Sequence, residues 1–268
     1  MDIQVKYIGG MDFSGLYFAP VETVKSRKSV NVYLNNRNTT WSNRIAFQLS
    51  ENEETPLIAK YGIDTADEGH EGDPYRRNVT ALLDPTTHKT TIDKLMDIDK
   101  IVKAEALKKC KEWWKKDLEE SAVNFKYKPL VIWDEVKQVY SVKFKVIVDP
   151  PNREPGKKYS KPTVIYKISD NNDAIQSDSS ILTSGSEITP QVSAVQVWFM
   201  GENQFGISLK ADVLLVKPKL VPSPLETMQT KRKFNEISEM PTSTDDALKS
   251  AKVEDELPVV LEDGDSAM

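Results

Sequence analysis

Apolar and polar side chains alternate along much of the first 220 residues, which is the pattern of half-buried β-strands. The clearest segment is residues 140–148, where every second side chain is apolar and Lys143 and Lys145 lie on the opposite side. The other segments with this alternation are residues 29–34, 44–49, 79–83, 194–200 and 207–216. The last two flank Gly201 and Gly206, whose turn chemistry predicts a hairpin.

Residues 92–121 follow a different period and contain neither glycine nor proline. Leu107, Cys110, Trp114 and Leu118 recur on one helical face, so this segment is predicted to be one helix, broken at most once. Lysines occupy its predicted solvent side, where they either are simply solvated or contact nucleic acid. They are Lys108, Lys109, Lys111, Lys115 and Lys116.

The order of these elements defines the fold class that we expect. Strands, then one inserted helix, then further strands are typical of a small antiparallel barrel, and the oligonucleotide-binding (OB) type is frequent among such barrels. We therefore predict a mainly β protein with one inserted helix and an OB fold-like antiparallel barrel, although the pattern also fits a β-sandwich. Two long polar segments, residues 50–75 and 150–192, are predicted to be loops.

The charge of the chain is concentrated at its carboxy-terminal end. Residues 221–268 carry eleven acids and five bases, a net charge of −6, so the overall charge of −5 leaves residues 1–220 with +1. The same segment is rich in proline, serine and threonine and shows no sustained period, which predicts a disordered acidic tail. The predicted organisation is a nucleic-acid-binding domain over residues 1–220 followed by this tail.

The residues that enzymes and metal sites require are not grouped in this sequence. Motifs for phosphate-binding loops, dinucleotide sites, zinc proteases and serine hydrolases do not occur in it. Cys110 is the single cysteine, and His70 and His88 lie in polar segments far from it, so no thiolate zinc site is expected. No apolar run is long enough to span a membrane. We expect an intracellular protein that is not an enzyme, uses no cofactor or metal and does not bind membranes.

Basic and aromatic residues share the outward positions and loops of the predicted strands. A single-stranded nucleic acid needs both, because cations contact its phosphates and flat rings stack on its bases. In the alternative interpretation, Trp41 packs on the core and the arginines are solvated. The candidate stacking residues are Tyr33 and Trp41, and the candidate phosphate contacts are Arg27, Lys28, Arg37, Arg44, Lys143 and Lys145.

Three segments resemble one known family, the single-stranded DNA-binding proteins of the phage T-seven type and their relatives in large DNA viruses of algae and amoebae. Residues 191–220 are similar to the family's last hairpin, in which an aromatic strand, a glycine turn and a second strand close the barrel. Residues 44–64, a strand followed by a proline and a Tyr-Gly pair, resemble its early barrel region. The acidic tail is a third point of similarity.

The resemblance implies a definite function. It implies an OB barrel that coats single-stranded DNA, with little base specificity, during viral DNA replication and recombination inside the host cell. It also implies that the tail recruits replication proteins and competes with DNA for a basic groove. The alternative is a structural or virion β-barrel protein that mediates protein–protein contacts. Self-association into a homo-oligomer, DNA versus RNA preference and nuclear versus cytoplasmic location are left open.

Overall fold

The computed structural model describes residues 6–24, 27–34, 46–52, 54–63, 75–148 and 161–219. Within these residues, twelve strands join in one sheet and three α-helices separate the fifth strand from the sixth. The strands are β1 (Leu16–Val24), β2 (Arg27–Leu34), β3 (Ala46–Gln48), β4 (Leu57–Ala59), β5 (Arg76–Leu83), β6 (Tyr127–Lys128), β7 (Val131–Asp134), β8 (Val139–Ile147), β9 (Val164–Ile168), β10 (Ala174–Ser177), β11 (Glu187–Met200) and β12 (Gln204–Lys217). The helices are α1 (Lys89–Lys108), α2 (Cys110–Trp114) and α3 (Glu120–Lys126).

Five of the strands close into a barrel. β4 pairs with β5, β5 with β8, β8 with β12, β12 with β11, and β11 with β4. Counted in chain order, the barrel strands neighbour one another as first, second, third, fifth and fourth, which is the Greek-key order of an OB barrel. The predicted mainly β, OB fold-like architecture is confirmed. The pairing is antiparallel at every barrel junction except β8–β12, which is parallel.

Two hairpins extend the sheet beyond the barrel. β2 pairs with β11 and carries β1 on its other edge, while β9 pairs with β12 and carries β10. The prediction of a loop over residues 150–192 is therefore wrong for β9, β10 and the start of β11. The prediction over residues 50–75 is wrong for β4. β4, β9 and β10 have only three to five residues each. Strands this short do not show a recognisable apolar run or alternation in the sequence.

The single predicted helix is divided into three segments. Lys115 adopts a left-handed backbone conformation, with φ of 61°, and ends α2 without a glycine at that position. The buried face of α1 runs through Leu95, Ile98, Val102 and Ala106. Leu107, which we expected on the buried face, is 38% exposed because it lies about 100° around the helix from Ala106.

An aromatic cluster attaches the helical insertion to the barrel. The Trp114 ring lies edge-on to Phe205 at a centroid distance of 5.0 Å, and Trp113 contacts Phe199 in the same way at 5.5 Å. Tyr127 completes the cluster, 5.1 Å from the ring of Phe205. Because Phe199 and Phe205 lie on β11 and β12, this cluster fixes α2 and β6 against the last hairpin.

The acidic tail, residues 221–268, lies outside the described residues, so its disorder and the domain boundary near residue 220 stay predictions. In the part of the chain that the structure describes, no helix is long and apolar enough to cross a membrane. The same residues contain no group of three potential metal-ligating side chains.

Candidate nucleic-acid interface

The outer face of the barrel is basic where β5, β8 and β12 adjoin. On β8, Val142, Phe144 and Val146 are buried, so the alternation places Lys143 and Lys145 on the opposite face. Across the strand pairs, Thr80 of β5 lies beside Lys143, Asn78 of β5 lies beside Lys145, and Lys210 of β12 lies on the other side of Lys145.

A cleft opens on this face because β12 changes its pairing partner. Leu209 and Lys210 of β12 pair with β8, whereas Phe205 and Gly206 pair with β6. β12 and β8 therefore separate around Ser208. The resulting cleft has a volume of about 320 Å³. Lys143 and Lys145 line one side, and residues 128–130, which follow from β6, line the other.

A second cleft of about 350 Å³ continues from the first, since Lys145 and Ser208 line both. We call the two together the basic groove. No aspartate or glutamate is among the described residues that line it, although Asp212 approaches Lys210 to 3.5 Å from outside. The groove is defined by one tryptophan and six cationic side chains, namely Trp198, Arg76, Lys128, Lys143, Lys145, Lys161 and Lys210.

Trp198 lies against the sheet in this groove because its cross-strand partner is Gly206. A Cβ atom at Gly206 would stand 2.8 Å from the Trp198 ring and 2.9 Å from the backbone oxygen of Lys128, closer than non-bonded contacts allow. The missing side chain therefore makes room for the indole. The ring is partly exposed, which is the condition for stacking against an unpaired base.

Two cations of the groove, Lys145 and Arg76, lie close enough to affect each other. Burial lowers the pKa of Lys145, and the neighbouring Arg76 guanidinium lowers it further. Both effects disfavour the ammonium ion while no anion is bound. An approaching phosphate would offset both, which makes this position suited to an anionic ligand.

The structure brings four of the residues predicted from sequence to one side of the sheet. Lys143 and Lys145 are in the groove itself. Because Val30 and Val32 are buried, Arg27 and Tyr33 point to the opposite, outward side of β2. The neighbouring outward residues of β2, Ser29 and Asn31, pair with Trp198 and Gln196 of β11, so this strand continues the face of the groove.

Of the other four predicted residues, the structure describes only Lys28, and it places that residue away from this surface. Lys28 lies on the core-facing side of β2, with its ammonium 5.0 Å from the centre of the Phe199 ring. Its pKa is lowered mainly by burial and also by Lys115. Arg37, Trp41 and Arg44 lie outside the described residues. Their role in DNA binding, like that of Lys28, stays a prediction.

Sequence reasoning missed Trp198 and four of the six cations. The signal for Trp198 was present, since it stands between the apolar Val197 and Phe199 and must point away from the core side that they occupy. Arg76, Lys128, Lys161 and Lys210 come from four separate segments. Only the strand order places them together.

No protein-family model matches the chain, and no curated protein matches its sequence. Among solved structures, the chain is similar to gp2.5, a single-stranded DNA-binding protein encoded by bacteriophage T7, with 11% identity, a TM-score of 0.46 and coverage of 77% of this chain and 100% of that one. It is also similar to the single-stranded DNA-binding protein of bacteriophage Enc34 in complex with single-stranded DNA, with 13% identity, a TM-score of 0.34 and coverage of 77% and 98%. Both are single-stranded DNA-binding proteins of bacteriophages, the kind of protein that the sequence resembles.

Proposed function

We propose that this protein binds single-stranded DNA along the basic groove with little base specificity. The observation that carries the proposal is the groove itself, which six cations and the partly exposed indole ring of Trp198 line together. The cations contact phosphates, and Trp198 stacks on a base. Stacking tolerates every base, because each has a flat π-face.

The chemistry of the side chains supports weak base selectivity. Five of the six cations are lysines, whose ammonium groups act as point charges and lack the planar fork that reads guanine bidentately. A duplex offers no unpaired base to Trp198, so single strands are the preferred ligand. The basic outer face of β8 also favours nucleic acid over the alternative of a structural or virion β-barrel, for which an apolar outer face is expected.

The wider role that we propose is the coating of single strands during replication and recombination of viral DNA. In this proposal, residues 221–268 recruit replication proteins and compete with DNA for the groove. Their net charge of −6 against +1 for residues 1–220 supports that idea, because a tethered segment stays at high local concentration.

A salt titration tests the binding function directly. We expect the affinity for a fluorescent thymidine oligonucleotide to fall with a log–log slope of about −3 to −4, since each of four to six phosphate contacts contributes about −0.7 for single strands. Affinity for a duplex of equal length should be lower at every salt concentration. A slope near zero, or equal affinity for both forms, would contradict the proposal.

A further inference from the structure

A buried carboxylate ties one wall of the groove to α1. The groove wall is residues 128–130, which line the cleft, together with the buried Tyr127 that precedes them. Asp99 of α1 accepts a hydrogen bond from the hydroxyl of Tyr127 at 2.5 Å and another from the backbone N–H of Leu130, at 3.0 Å to Oδ2 and 3.2 Å to Oδ1. Asp99, Tyr127 and Leu130 are each only 6% exposed. The two bonds therefore fix both ends of the wall, with Lys128 between them.

The ionised carboxylate suits this arrangement better than the neutral acid. Both of its partners are donors, and a carboxylate offers acceptor sites on both oxygens. The Tyr127 hydroxyl can accept as well as donate, so a protonated Asp99 can keep both partners. Its hydrogen bonds are then no longer charge-assisted, and both are weaker. The backbone of the wall is then held less firmly beside Gly206, with which Lys128 pairs.

Burial makes this group titrate near neutral pH. Burial raises the pKa of Asp99 to about 6, although the hydrogen bonds from Tyr127 and Leu130 and the nearby Lys103 ammonium all lower it. Lys103 also lies over the Tyr127 ring, 5.9 Å from its centre. These are the groups from α1, β6 and the groove wall that act on Asp99 in the described part of the chain.

The raised pKa of Asp99 makes the stability of the fold depend on pH. The folded protein holds the Asp99 proton more tightly than the unfolded chain does, so this contribution to stability is fully present below pH of about 3.8 and is lost as pH rises through about 6. At pH 7.5 the buried charge thus opposes folding.

We propose that Asp99, through Tyr127 and Leu130, is a positioning residue that holds the groove wall in its DNA-binding geometry and makes DNA affinity depend on pH. The inference rests on the proposed function of the groove. Affinity is high when Asp99 is ionised and falls when it is protonated. Protonation of exposed carboxylates acts in the opposite direction, because it makes the chain more positive.

The test compares wild type, Asp99→Asn and Tyr127→Phe in oligonucleotide binding between pH 5.0 and 7.5 at fixed salt. We expect the wild-type dissociation constant to rise by about three- to tenfold on going to pH 5.0, the effect of one loosened hydrogen bond. Asp99→Asn should bind with this lower affinity at pH 7.5 and lose no further affinity at pH 5.0, and its denaturation midpoint at pH 7.5 checks that it is folded. Tyr127→Phe should shift the pH midpoint upward, because the hydrogen bond that it removes lowers the pKa of Asp99.

Asp97→Asn is the matched control. Asp97 lies on the same helix, its side chain is 52% exposed, and it pairs with Lys100, so its loss removes an equal charge without touching the groove wall. This variant should keep the wild-type pH dependence. A wild-type affinity that does not fall at pH 5.0, or an Asp99→Asn variant that retains the dependence, would overturn the inference and leave DNA binding intact. No binding at pH 7.5 in low salt would instead overturn the proposed function, and the inference with it.

Discussion

Replacing Lys143 and Lys145 together with glutamine is expected to weaken binding of a single-stranded oligonucleotide by at least about a hundredfold at low salt. Hydrogen bonds to charged groups contribute about 1.5–3 kcal/mol each, and the double substitution removes two of them. Glutamine keeps a polar side chain of similar reach while removing the charge. The salt dependence should also flatten, by about 0.7 in log–log slope for each phosphate that a lysine no longer neutralises. Fluorescence anisotropy over a range of salt concentrations measures both quantities.

The control for this prediction is a second pair of lysines. Lys100 and Lys108 lie on α1 with side chains that are 72% and 75% exposed, and neither lines the groove. Changing both to glutamine alters the net charge of the chain by the same amount. We expect binding within about twofold of wild type, since long-range charge effects between exposed groups are screened. A loss equal to that of the Lys143 and Lys145 pair would mean that overall charge, not the groove, determines affinity.

The part of the site that the sequence could predict is the part that depends on local alternation. The apolar positions of residues 140–148 were sufficient to place Lys143 and Lys145 on the outer face of β8. The same argument gives Tyr33 its outward direction on β2. Applied to Lys28, it would have placed that residue on the side of Val30 and Val32, where the structure has it. Proximity in sequence to Arg27 gave no information about its side of the strand.

The part that the sequence could not predict depends on pairing between distant strands. The cleft exists because β12 pairs with β6 at Phe205 and Gly206 and with β8 only from Leu209 onward, and no local pattern marks that change of partner. The register that sets Trp198 opposite Gly206 likewise joins two strands through a bulged hairpin, where one residue of slip would reverse the sides. The left-handed Lys115 has no sequence signal, because most such positions carry glycine.

The fold and the site are therefore connected through one hairpin. β11 and β12 close the barrel, carry Phe199 and Phe205 into the aromatic cluster, and present Trp198 and Lys210 on the opposite face. Because side chains alternate along each strand, the residues that pack in the core and the residues that line the groove are different neighbours on the same strand. A substitution on the outer face should consequently change binding with little effect on stability.

Trp198→Ala tests that separation and the stacking argument together. Loss of one stacked base is expected to weaken binding by about 1–3 kcal/mol, which corresponds to roughly 5- to 150-fold. Trp198→Phe, which keeps a smaller flat ring, should have an intermediate affinity. The salt slope should stay at the wild-type value, because stacking displaces no counterions, and this distinguishes the tryptophan from the lysines.

Trp133→Ala is the matched substitution outside the groove. Trp133 is 38% exposed and its ring lies 4.7 Å from that of Tyr140, while its neighbour Ile132 lines the cleft, so the two side chains point to opposite sides of β7. This variant should bind single strands like wild type. If both tryptophan variants lose affinity equally, or if Trp198→Ala binds normally, Trp198 packs against Gly206 without contacting bases, and single strands are held by the cations of the groove alone.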